Sequence, residues 1–148
     1  MTTVMHFWWQ VLVAALAFFM LGAIWYNPKV FGTAWAKSHG IVMDPEKRKE
    51  ANMAKLFICS FLCALVLSAA TLWVCAASCQ GVLCSAPGGM GMMHCLKSGA
   101  LIGGSGAAAI SMGYIYNMKP LNSYLIDGGY NFAGCILASV IYYFLGCC

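Results

Sequence analysis

The sequence predicts an all-α membrane protein: a four-transmembrane-helix bundle with a short interfacial helix after the first span. Three observations carry that expectation. Hydrophobic residues make up 62% of the 148 and charged residues 8%, against roughly 25% charged in an ordinary soluble domain. Four apolar runs are each long enough to cross a hydrocarbon core about 30 Å thick, which takes about 20 helical residues. Most of the charge lies between the first two runs. Residues 1–148 therefore read as a single integral membrane domain, with spans at about 7–26, 53–77, 95–117 and 129–147. Helices are required because an open strand edge in lipid leaves backbone groups unpaired at several kcal/mol each.

The first run has no basic segment before it, exceeds the apolar length of a signal peptide and ends without a small-x-small site, so it is expected to be retained as a span. Trp25 and Tyr26 close it with side chains suited to the membrane interface. Pro28 cannot continue a helix interior and marks a break or a new first turn. Val30, Phe31, Ala34 and Trp35 follow at helical spacing, which predicts the short interfacial helix over about 28–38. Gly40 fits a helix stop. Asp44, Pro45 and Glu46 read as N-cap, first helical residue and acidic first turn of a helix continuing through Lys55 into the second span. The charges interleaved there are most simply a solvated face.

The third run holds a stripe of small residues, Gly99, Gly103, Ala107 and Ser111, and the fourth adds Gly134 and Ala138 at the same spacing. Such stripes let helix backbones approach closely where lipid supplies no hydrophobic drive between helices. Packing within the monomer and a subunit interface both fit. A chain this small buries little surface, which favours a homo-oligomer or membership of a larger membrane assembly.

Orientation follows from the cations. Lys29, Lys37, Lys47, Arg48, Lys49 and Lys55 lie in or beside the first loop and Lys119 in the third, while the second loop and the termini carry only Lys97. The positive-inside rule puts the first and third loops in the cytoplasm and both termini on the non-cytoplasmic side. Cys75, Cys79, Cys84, Cys95, Cys147 and Cys148 then share the outer end, where an oxidising compartment would join them as disulfides. Small apolar residues at helix ends is the plainer account of the same cysteines.

Asp127 is the only carboxylate outside the first loop. It reads either as an N-cap or first-turn acid of the fourth helix, or as an ion- or proton-coupling group paired with Lys119 or Lys55. The tyrosines and asparagines near the inner ends of the last two helices, with Tyr142 and Tyr143 at the outer end, match an aromatic belt. Met90, Met92, Met93, His94 and Cys95 gather thioether, imidazole and thiol, a set suited to Cu(I). A flexible Gly-Met turn explains the same residues, and no zinc spacing accompanies them. No paired acid and base, nucleophile elbow, phosphate loop or dinucleotide fingerprint appears in a working context. No enzyme and no cofactor is therefore expected. Although the net charge is +4, the cations flank apolar helices instead of forming a basic face, so the expected partner is the lipid bilayer and not nucleic acid.

The run Gly22-Ala-Ile-Trp25-Tyr26-Asn-Pro28-Lys-Val-Phe31-Gly32-Thr-Ala-Trp35, together with Leu125-Ile126-Asp127-Gly-Gly-Tyr130, resembles the family of small membrane proteins designated domain of unknown function 1761. The likeness extends from the first helix through the fourth. It implies a four-helix integral membrane protein and no particular activity. The second loop, rich in Cys, Gly and Met, departs from the family's expected pattern.

Three functional classes follow. A non-catalytic, self-associating structural or accessory membrane protein is the leading expectation, from the charge-poor core and the glycine stripe. A small oligomeric transporter or channel, with Asp127 and the inner tyrosines beside its path, is the second. An outer-face copper-binding protein is the third.

Overall fold

The computed structural model describes residues 8–40, 53–79 and 91–145. Among these, the chain is helical almost throughout and contains no strand: α1 (Trp8–Trp25), a single π-helical turn (Pro28–Gly32), α2 (Thr33–Ser38), α3 (Met53–Cys79), α4 (Met92–Tyr116) and α5 (Leu121–Phe144). The four long helices run alternately up and down, so Trp25, His39, Asn117 and Asp127 share one end of the bundle. The facing pair Cys75 and Cys95 and the pair Gln10 and Leu145 mark the other. The expected helix start at Asp44, Pro45 and Glu46 lies outside the described residues.

Three helices are long and apolar enough to cross a bilayer: α1, residues Ala54–Ala77 of α3, and α5. The expectation of four is corrected at α4, which is a helix of 25 residues but a less apolar one. Gly99, Gly103, Gly104, Gly106 and Gly113 alternate there with Ser98, Ser105 and Ser111, and His94 and Lys97 stand in its opening turns. The glycines and hydroxyls that let α4 pack also dilute its hydropathy. Helix α3 is the contrasting case, with Leu56, Phe57, Ile58, Leu62, Val66 and Trp73 all more than half exposed. An apolar surface of that extent suits lipid, not water.

The second correction concerns where the last helix begins. The sequence predicts its start at about Gly129, but α5 starts at Leu121. Pro120, at φ −66° and ψ 149°, is its N-cap, and its carbonyl accepts the Ser123 amide at 3.0 Å. A proline suits this place because its φ is already helical and it has no N–H to leave unsatisfied. Gly128 and Gly129 lie inside the helix, where Gly128 packs against Ala107 and Gly129 lies under the Trp25 ring. Asp127 is thus the seventh residue of α5, about 9 Å along its axis at about 1.5 Å per residue, and is not an N-cap.

The segment after α1 is held by local chemistry. The Asn27 side chain accepts the Lys29 amide at 3.0 Å, Pro28 opens the π turn, and α2 ends at Ser38 with Gly40 just beyond its cap, at a φ of 67° that glycine adopts without strain. Gly32 is buried against the chain that precedes it: a Cβ there would meet the Tyr26 carbonyl and lie 2.9 Å from Asn27 C. Glycine at this motif position lets the π turn fold back beneath the end of α1.

Helices α4 and α5 form the most extensive pair in the bundle. A Cβ on Gly99 would lie 2.7 Å from the Cys135 carbonyl, and one on Gly103 2.8 Å from Phe132 Cα. The two backbones therefore touch where α4 carries no side chain. Gly134 plays the same part towards α1, for the Phe18 ring occupies the space its Cβ would take. Two small apolar clusters fill the remaining interior, Ala14, Ala138 and Tyr142 in one and Phe18, Ala64 and Cys135 in the other. Tyr142, expected in an interfacial belt, is instead fully buried, its hydroxyl donating to the Ser68 carbonyl at 2.8 Å. A tyrosine can sit there because a backbone acceptor takes up its O–H.

Candidate functional site

At the Asp127 end, the residues that follow α1 fold back across the end of α4 and the start of α5. Tyr26 and Tyr114 both donate their hydroxyls to the Asp127 carboxylate, Tyr26 to Oδ1 at 2.6 Å and Tyr114 to Oδ2. The carboxylate thus joins three parts of the chain: the end of α1, the last turn of α4 and the second turn of α5. The side-chain donors described at this carboxylate are therefore phenols. Phenol donors orient the carboxylate, and bonds to a charged acceptor are shorter and stronger than neutral ones.

A ring of aromatic side chains encloses this centre. Trp25 Nε1 donates to the Ile126 carbonyl at 3.0 Å, fixing the end of α1 one residue away from Asp127. Tyr130 lies 5.3 Å from the Tyr26 ring and 5.2 Å from Phe18, and Trp35 lies 5.7 Å from Tyr26. Phe31 stacks on Trp25 with centroids 4.9 Å apart. Gly22, Trp25, Tyr26, Phe31, Trp35, Asp127 and Tyr130 therefore converge, while Pro28 and Gly32 shape the turn that lets them. Tyr26, just past the end of α1, has its hydroxyl pushed well above the ordinary phenol range, first by burial and then by its bond to Asp127 and that carboxylate's charge. It stays protonated and donating.

Towards the surface the network continues through His39. Its Nε2 lies 3.2 Å from the Tyr114 hydroxyl and its Nδ1 3.0 Å from the Trp35 carbonyl. The Tyr114 hydroxyl gives its one proton to Asp127, so it is the Tyr114 oxygen that faces His39 Nε2. Ser123 donates to Ser38 Oγ at 2.6 Å, and Ser38 to the Trp35 carbonyl at 2.7 Å, tying α2 to α5. Beside His39 and Tyr114 opens a groove of about 380 Å³, also lined by Ala109, Ile110, Gly113, Asn117 and Lys119. His39, Ser38 and Ser123 are not among the residues to which the sequence points. The legible signal was the spacing of Trp35 and His39, one helical turn apart, which lets the imidazole reach the Trp35 carbonyl.

The remaining candidates do not join this site. Gly99, Gly103 and Ala107 face α5, Gly134 and Ala138 face α1, and the Ser111 hydroxyl donates to the Ala107 carbonyl at 2.8 Å. Cys75 and Cys95 face each other with Sγ atoms 3.5 Å apart, well beyond the about 2.05 Å of a disulfide, so this pair is corrected to two adjacent thiols. The Cys79 side chain, Cys84, Cys147 and Cys148 lie outside the described residues, as does Met90. Met92 and Met93 point outwards while Cys95 is fully buried, so these proposed copper ligands diverge. Among the described residues no group of three His, Cys, Asp or Glu side chains is placed to hold a metal.

These features define a class: an all-helical bundle with bilayer-compatible helices, built at one end around a carboxylate clamped by two phenols. A family model described as "Protein of unknown function (DUF1761)" matches residues 9–143, and the chain belongs to that family. Neither the curated proteins nor the solved structures contain a match to the chain.

Proposed function

We propose that this chain is a small integral membrane protein that passes protons, or a small solute coupled to them, through the Asp127 end of the bundle. In this reading α4, although less apolar, crosses the bilayer beside the three apolar helices, with the Asp127 end on the cytoplasmic side and both termini opposite. The observation that carries it is the continuous series of exchangeable groups from the open groove inward: His39, Tyr114, Asp127 and Tyr26, each within hydrogen-bond reach of the next. An ionisable group inside a membrane helix costs about 2.5 to 3.5 kcal/mol on insertion scales and is retained where it does work. The interior beyond the cluster supports the same reading, since Ser68, Thr71, Ser98 and Ser139 are buried among the helices, placing hydroxyls where branched aliphatics would serve packing alone.

The test is proton flux into liposomes loaded with a pH-sensitive dye, driven by a potassium diffusion potential. Wild-type protein is expected to exceed empty liposomes and folded Asp127→Asn to fall to their level. Equal flux in wild type, Asp127→Asn and empty vesicles overturns the proposal.

A second reading has one observation in its favour. Asp127 joins three parts of the chain, so the cluster also serves as a structural clamp in an accessory membrane protein. Asp127→Asn would then lower the melting temperature without any flux to lose. Self-association through the α4 stripe is less well supported, because Gly99 and Gly103 are occupied by α5. The exposed face of α3 is the alternative surface for a second copy. Copper binding draws no support from the diverging side chains at the start of α4.

A further inference from the structure

The groove beside His39 has two unlike halves. Its wall along α4 is formed by Ala109, Ile110 and Gly113, an apolar surface extending about 6 Å along the helix. No atom lies within 4 Å of where a Gly113 Cβ would be, so the missing side chain is what leaves that wall recessed. Its mouth is polar and cationic, formed by Lys119, Asn117 and His39. The nearby negative charge is turned away, because both Asp127 oxygens are engaged by Tyr26 and Tyr114 and the Tyr114 side chain stands between Asp127 and His39. The Asn117 amide nitrogen donates to the Gly113 carbonyl at 2.7 Å, which fixes that side chain over the recess.

We infer that this groove is a binding site for an anionic phospholipid. The phosphate would be held at the mouth by Lys119 with Asn117 and His39 beside it, and the first part of an acyl chain would lie along Ala109, Ile110 and Gly113. A cation over an apolar recess at the end of a membrane helix matches an amphiphile in both charge and shape, and basic pockets on the cytoplasmic side are where anionic headgroups gather. Free phosphate would use only the mouth, and a zwitterionic lipid would bring a choline cation towards Lys119. The inference rests on the bundle crossing a bilayer and is independent of proton movement.

The test is native mass spectrometry of the full-length chain in maltoside micelles, titrated with dioctanoyl phosphatidylglycerol, dioctanoyl phosphatidylcholine or inorganic phosphate. Saturable retention of the glycerol lipid is expected, weakened about tenfold in Lys119→Ala, the loss of roughly one charge-assisted contact, and restored in Lys119→Arg. Gly113→Leu is expected to weaken retention by filling the recess. Thermal melts of each variant separate lost binding from lost fold, and both positions are exposed. Equal retention of the choline lipid, inorganic phosphate binding as tightly as the lipid, or unchanged binding in a folded Lys119→Ala protein would each overturn the inference. Flux measured in liposomes of phosphatidylcholine alone keeps this outcome separate from that of the proton-transfer proposal.

Discussion

Met118 has a φ of 50°, the left-handed region that costs a residue with a Cβ roughly 1 kcal/mol or more. It adopts this conformation because it closes α4: its amide donates to the Ile115 carbonyl at 3.1 Å and the Lys119 amide to the Tyr114 carbonyl at 3.0 Å, the paired bonds of a Schellman ending. Glycine is the usual residue there, and Met118 is 94% exposed, so its side chain contributes little packing. Met118→Gly is expected to stabilise the fold by about 0.5–1 kcal/mol, read as a higher melting temperature. Tyr26 supplies a prediction about pH. Its hydroxyl holds its proton more tightly in the folded chain than in the unfolded one, so above a pH of about 10, the usual phenol value, the unfolded state releases a proton that the native state keeps. Stability is full below that pH and falls as pH rises beyond it. Melting curves between pH 8 and 11 should show the decline, and Tyr26→Phe should make it shallower.

At the scale of elements, the α4–α5 contact depends on absent side chains. Gly103→Leu is expected to cost about 3 kcal/mol or more, because the clash is with the Phe132 backbone and neither helix can yield cheaply. The loss should appear as a lower melting temperature of the chain itself and not as a change in oligomeric state. Gly113→Leu, on a face where nothing approaches, should melt as the wild type does. The stripe was legible in the sequence as four-residue spacing, but its partner was not, since spacing gives a face and not what covers it. The helix after Pro28 and its stop at Gly40 were equally legible, because proline and glycine fix backbone angles locally. The start of α5 was not legible, because residues 121–128 are less apolar than the run that follows, whereas Gly128 and Gly129 serve close approach inside the helix.

For the whole molecule, charge placement predicts sidedness. Trypsin should cut after Lys47, Arg48 or Lys49 in membranes that expose the cytoplasmic face and leave them intact in sealed vesicles of the opposite orientation. Cleavage from the other side would invert the topology and move the Asp127 cluster and its groove with it. The cluster was only half legible. Its members stood out singly, Asp127 as an isolated carboxylate and Trp25, Tyr26 and Tyr130 as interface aromatics, yet simple charge pairing pointed to lysines. The phenols won because the chain folds back after α1: Gly32 seats the π turn, Trp25 pins it to the Ile126 carbonyl, and Tyr26 is left facing a carboxylate that is distant in sequence.

The adjacent thiols at the other end have a use of their own. Cys75 on α3 and Cys95 on α4 have no solvent exposure, so an alkylating reagent reaches them only when those helices part. Their labelling rate is a built-in clock for opening of the bundle, running at the end farthest from Asp127. Comparing that clock with cluster variants would reveal whether a bond broken near the groove loosens the molecule throughout or only where it was made.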